Sequence, residues 1–145
     1  MIVVLILTVL AAILIPSYAN ASGAAAVSAV VTDLRSFERA TRFFALEVNG
    51  NLPPFNEELR IGLKPYLEPG ATASKPAIGG DYGFHVWATQ NVAGIGVWAV
   101  EHPELLVDVD SHLDDGSLTS GAVHGVTTTG LLFIVYGDAS KFNWP

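Results

Sequence analysis

The chain has 145 residues, half of them hydrophobic, a mean hydropathy of +0.43 and a net charge of −7. That is one domain's worth of chain, with room for an appended segment. Nothing basic is concentrated enough to neutralise phosphates, which excludes nucleic acid as a partner. The absence of cysteine excludes a disulfide framework, a thiol nucleophile and a thiolate metal site.

The charge is unevenly placed. All 7 basic residues are Arg35, Arg39, Arg42, Arg60, Lys64, Lys75 and Lys141. Between Pro76 and Ser140 stand only acids: Asp81, Glu101, Glu104, Asp108, Asp110, Asp114, Asp115 and Asp138. Such a surface attracts cations or a basic partner.

Residues 1–15 are apolar except for Thr8, and no charged side chain occurs before Asp33. About 20 apolar residues span a bilayer as a helix, so this run is marginal but usable if the helix continues past Pro16. Pro16 lacks a donor and crowds the carbonyl four residues back, which predicts a kink or local melt. Small residues from Ala19 to Ala26, Gly23 among them, allow close approach of neighbouring helices. Ala19-Asn20-Ala21 also fits a signal-peptidase site, but no basic segment precedes the apolar run.

From Val27 the pattern becomes a stripe. Val27, Val30, Leu34, Phe37, Thr41, Phe44 and Val48 recur at helical spacing, with Asp33, Arg35, Ser36, Glu38, Arg39, Arg42 and Glu47 between them. Glu38 and Arg42 form a favourable i,i+4 pair. Asn49-Gly50-Asn51-Leu52-Pro53-Pro54 then stops the helix. One helix of nearly fifty residues results, far above globular norms.

This order of elements resembles the N-terminal helix of type IV pilins and of type II secretion pseudopilins. The resemblance rests on the apolar run ending in Ile15-Pro16, on Thr32-Asp33-Leu34-Arg35, and on Asn49-Gly50 leading into Leu52-Pro53-Pro54. It covers about a third of the chain. A weaker likeness lies in Leu113-Asp114-Asp115-Gly116-Ser117-Leu118-Thr119-Ser120-Gly121, followed by a final strand, which is similar to the "DDG-x-L-x-x-G" end of some bacterial pseudopilin-like proteins. Mature chains of that family begin with a Phe-Thr-Leu-Ile-Glu-Leu-type segment after a cleaved leader. Neither is present, so the resemblance places Met1 just downstream of that segment, and its docking glutamate maps onto no residue here.

The head reads as α+β. Phe55 to Leu67 fits a short helix weakened by Gly62 and Pro65, and Glu68 to Gly80 a loop. Tyr82, Phe84, Val86 and Ala88 alternate with Gly83, His85, Trp87 and Thr89 as in a strand, and Gln90 to Ala93 turns the chain. Gly94 to Val100 predicts a second strand with Ile95, Val97 and Ala99 on one face. Pro103 to Leu113 leans to a short helix, and Asp114 to Gly121 to a loop. A weak strand at Ala122 to Val126 precedes a clear one at Leu131 to Tyr136, whose two apolar faces require a central position. The expected architecture is an antiparallel sheet packed on the amphipathic half of the long helix. Residues 1–26 form the membrane or filament-core segment, and residues 27–145 the head.

Candidate chemistry is sparse. Asp108, Asp110, Asp114 and Asp115 together could hold calcium, which takes several carboxylate and carbonyl oxygens. Their spacing is not that of a helix-loop-helix calcium site, and the competing reading is a solvated helix end with Asp114 or Asp115 capping the loop. The resemblance adds that some type II pseudopilins bind calcium in C-terminal loops. His85, His102, His112 and His124 show no ligand spacing. No nucleophile elbow or phosphate cradle occurs. Trp87, Trp98 and Trp144 are expected in the core of the head.

The expectation is therefore a non-enzymatic structural subunit of a type IV pilus-like filament. The resemblance implies that it sits in the bacterial inner membrane before assembly, then at the cell surface as a helical homopolymer built by pilus or secretion machinery. Met1, Leu5, Leu10, Ile13, Pro16 and Gly23 mark the polymerisation helix. Arg35, Arg39 and Arg42, at spacings of four and three, are the candidate subunit contacts, expected to point away from their own head towards acids such as Asp108 to Asp115 of a neighbour. A major pseudopilin is the nearest alternative, and a membrane-tethered module binding a glycan or metal is the alternative from another class.

Overall fold

The structure is a computed structural model that describes residues 2–142; the side chains of residue 5, residues 8–20 and residue 141 fall outside that description. Met1 and the side chains of Leu5, Leu10, Ile13 and Pro16 therefore lie outside the described residues, as does Trp144.

The fold is α+β, a four-stranded antiparallel sheet with an N-terminal helix. Helix α1 runs Ile2–Glu47. Its backbone stays helical through Pro16, so the local melt expected there is not found. Asn49 and Gly50 end it with positive φ, 54° and 79°, and the Gly50 amide donates to the Ala45 carbonyl at 2.7 Å. A left-handed Asn-Gly pair satisfies carbonyls that a helix end leaves open. Helix α2, Asn56–Leu63, follows, and Pro65 is absorbed in a 3₁₀ turn at Lys64–Tyr66. Gly62 is more than a weak point in α2: a Cβ there would lie 2.6 Å from Cε2 of Phe44, so the two helices touch because this residue has no side chain.

Strands β1 Asp81–Trp87, β2 Val92–Trp98, β3 Val123–Thr127 and β4 Gly130–Tyr136 lie in the order β1-β2-β4-β3. Helix α3, Leu106–Leu113, sits in the crossover between β2 and β3. β4 is interior to the sheet and buried on both faces along all but its last residue, as its two-sided apolar sequence requires. β2 starts two residues earlier than its pattern suggests. Asn91 takes φ 52° to close the turn, so that Val92 already pairs with Trp87, and Ala99 at φ 54° leaves the strand.

The predicted stripe of α1 is the heart of the core. Val27, Val30, Leu34 and Phe37 of the stripe are buried, Phe44 and Val48 only half so, and Ala40 and Ala45 beside them are buried too, with Leu59 and Leu63 of α2, Phe84, Ile95, Val97, Leu131, Phe133 and Val135 of the sheet, and Leu106 and Val109 of α3. Phe37 meets Tyr82 and Phe84 edge-on, at centroid distances of 5.1 and 5.3 Å. Thr41, fully buried, donates its hydroxyl to the Phe37 carbonyl at 2.8 Å, which satisfies the one polar group in the stripe.

The far face of the sheet is built differently. Trp87 and Trp98 are not in the main core; they pack on Val92, Leu132, Ile134 and Phe142 on the opposite side. A Cβ at Gly83 or Gly96 would run into the Trp98 indole, so glycines on this face let the ring lie against the backbone.

Candidate functional site

Two places in the molecule concentrate charge, and a third exposes apolar surface. The last is the start of α1, where Ile2, Val3, Ile6 and Leu7 are 75%, 68%, 52% and 60% exposed. Among the described residues no helix is long and apolar enough to cross a membrane. Gly23 is half-buried, and a Cβ on it would make only ordinary contact, at 3.7 Å, with the Leu105 side chain. Nothing in its own head forces glycine there.

The cationic face of α1 is organised around one carboxylate. Glu38 accepts from Arg35 at 3.1 Å and from Arg42 at 2.9 Å, using one oxygen for each. Helical spacing of three and four residues makes both pairs reachable. Arg39 is exposed and donates Nε to the Arg35 carbonyl at 3.3 Å. Arg42 and Arg35 are exposed as well, and Arg35 is anchored at its tip. Its Nη2 donates to the carbonyl of Leu113, the last residue of α3, at 3.1 Å, and its guanidinium lies 6.0 Å from the Phe133 ring centre. Its guanidinium meets that carbonyl because α3 packs against α1. Arg35, Glu38 and Arg42 line a groove of about 430 Å³ with Leu113, Phe133 and Tyr136.

The acidic site forms where α3 ends. Leu106, Val109 and Leu113 set the buried face of this helix, and Asp110, four residues after Leu106, falls on that same face. It is wholly buried, and neither carboxylate oxygen has a hydrogen-bond partner. Its backbone carbonyl receives the Asp114 amide at 2.7 Å, and the chain then turns out of the helix. Asp114 Oδ2 accepts from the Ala122 amide. Gly121, at φ 81°, has no Cβ to collide with the Asp114 carboxylate. Asp115 accepts from the Ser117 amide at 2.8 Å and from the Ser120 hydroxyl at 2.7 Å. These bonds brace the loop as the capping reading expects.

One oxygen each of Asp110, Asp114 and Asp115 lies within 4.8 Å of the others. Asp108 does not join them. It stands two positions before Asp110, on the exposed side of α3, so the four-aspartate set expected from the sequence reduces to three. Burial pushes the Asp110 carboxyl up to about 6, and the charges of Asp115 and Asp114 push the same way. The bonds from Ser120 and Ser117 hold Asp115 below the usual carboxylate range. Burial pushes the His124 imidazole down, against its bond to the Gly121 carbonyl and the charges of Asp115 and Asp114.

The other histidines are scattered. His102 sits 3.1 Å from Glu104, and His112 Nδ1 is 2.8 Å from the Asp108 carbonyl. His85 packs between Trp87 and Trp98 on the far face of the sheet, and burial lowers its basicity. Comparison with protein-family models, with curated proteins and with solved structures finds no match.

Proposed function

We propose that the chain is a structural, non-enzymatic subunit of a type IV pilus-like surface filament that polymerises through its N-terminal helix. One observation carries the reading: a single helix has an apolar stripe covered by its own head from Val27 onward, yet exposes Ile2, Val3, Ile6 and Leu7. Apolar surface that its own head does not cover calls for another covering, and lipid before assembly and like helices afterwards both suit it. A head-to-tail contact that does not close gives a helical polymer. The subunit waits in the inner membrane and ends in the filament, assembled by pilus machinery or, as a major pseudopilin, by a secretion system.

Arg39 and Arg42 supply the polar side of the contact in this reading. They face away from their own head, while the surface from Pro76 to Ser140 offers a neighbour only acids. Arg35 takes part through the groove it shares with Arg42. Electron microscopy of surface filaments sheared from the native cell, with mass spectrometry of the purified fibres, tests the proposal. Fibres built mainly of this chain are expected. A chain recovered only as a dispersed monomer from cells that make such fibres would overturn it.

A further inference from the structure

Helices α1, α2 and α3 all pack with the near face of the sheet, and the far face is left to a small cluster of side chains around Val92, Leu132 and Ile134. One ring dominates that face. The Trp98 indole lies back along its own strand, across Gly83 of β1, Gly96 of β2 and Gly130 of β4, and a Cβ at any of the three would collide with it. Glycine weakens a strand interior, and what it permits in return is a close approach to the backbone. Three adjacent strands thus give up a side chain at one spot, and the ring lies flat on the sheet. His85 meets it edge-on, with ring centres 5.5 Å apart and planes at 74°, and bounds it on one side. The indole stays only half-buried, so its other face looks to solvent.

The neighbours of that open face are acidic. Asp81 stands directly opposite Trp98 in the β1–β2 register, so the two side chains share the far face. Asp81 is exposed, and its carboxylate has no hydrogen bond or ion pair among the described residues. Glu101, also exposed and unpaired among them, lays its side chain against Gly79, two residues before Asp81. No Lys or Arg occurs between Pro76 and Ser140 to neutralise either.

We propose that the open face of Trp98, with Asp81 beside it, is a recognition site for an arginine side chain on a basic segment of a partner protein. A guanidinium is planar, so it lies on the indole while its N–H groups reach a carboxylate at the ring's edge. An ammonium is a compact point charge and uses the two features less well together. A neutral sugar stacks on the same kind of ring, but a surface that carries only acids favours a cation. This inference stands on the head alone and does not depend on filament assembly.

The experiment titrates the full chain, in nonionic detergent, with a short arginine peptide, followed by calorimetry and tryptophan fluorescence. Lysine and citrulline peptides of the same length are the controls. Saturable binding of the arginine peptide is expected, several-fold tighter than the lysine peptide and weakening as salt rises. The citrulline peptide, which keeps the shape and lacks the charge, should be silent. Trp98→Leu and Asp81→Asn should each weaken binding by about three-fold. Asp81 is exposed, so Asp81→Asn should melt like wild type and keeps the test readable if Trp98→Leu fails to fold. Asp108→Asn, on α3, should bind like wild type. No binding of the arginine peptide, equal binding of the citrulline peptide, or unchanged affinity in Asp81→Asn would overturn the site. Quenching by a methyl hexoside with none by the arginine peptide would overturn it in favour of a sugar. Equal affinity for the lysine peptide would overturn the preference for a guanidinium.

Discussion

The two ends of α1 differ in composition and stand in opposite circumstances. From Val27 to Ala45 its apolar side chains are covered by β4, α2 and α3, and Leu34 and Phe37 are essentially inaccessible. At its start, Ile2, Val3, Ile6 and Leu7 are at least half exposed. The patterns differ in one respect: charges interrupt the first kind of segment at helical spacing, and none interrupts the second. A helix with a polar back has one face to bury and finds it within its own fold. A helix apolar all round has surface left over after any single partner is satisfied. The placement of Asp33, Arg35, Glu38 and Arg39 at helical spacing marks the segment that has a face to leave in solvent.

The contrast can be broken by paired substitutions. Phe37→Ala should destabilise the head by about 3–5 kcal/mol, the usual cost of emptying a buried aromatic position, measured by denaturant melting. Leu7→Ala should leave the same melt within about 0.5 kcal/mol, since the residue is solvent-exposed in the single chain. In the filament assay the second variant is the one with a specific defect. Equal losses of stability in both would erase the distinction between the two ends.

A smaller effect is expected at the polar surface between them. Each exposed ion pair contributes only about 0.2–1 kcal/mol, so Arg39→Glu should not unfold the head. It should impair assembly, because the same pair recurs at every subunit, and a charge reversal in the acidic loop at Asp114 or Asp115 should restore it. Normal filaments from Arg39→Glu at low and moderate salt would show this arginine to be merely solvated.

The smallest effect belongs to the head's far face. His85 is held below its ordinary basicity by burial between Trp87 and Trp98, so the folded chain binds fewer protons here than the unfolded one. Its contribution is complete above the unfolded value of about 6.5 and is lost as pH falls through the lower folded value. Wild type should therefore lose stability relative to His85→Phe between pH 7 and 5, with or without residues 1–23. A difference that is flat with pH would remove His85 from the account.

Much of this fold was legible in the residues. The stripe from Val27 to Val48, the Asn49-Gly50 stop and the central place of Leu131 to Tyr136 follow from periodicity, turn chemistry and two-sided apolarity. Local patterns failed where a partner element decides. The start of β2 was set by Asn91 adopting a left-handed turn, which composition does not announce. Trp87 and Trp98 looked like core residues, but glycines at positions 83 and 96 make room for Trp98 on the other side of the sheet. At the acidic site, counting aspartates gave four ligands, whereas helical phase gives Asp110 to the buried face and Asp108 to solvent. Leu106, Val109 and Leu113 carried that phase, so the signal was present. The anchoring of Arg35 could not be read at all, since the carbonyl it binds is 78 residues away.

The claim at the centre of this account is that one end of α1 completes the head and the other joins it to like chains. The most direct test is sedimentation and circular dichroism of residues 24–145 beside the full chain, both without detergent. The account predicts a folded, cooperatively melting monomer for the shortened chain and a sedimenting polymer for the full one. A shortened chain that is unfolded, or one that still polymerises, would contradict it.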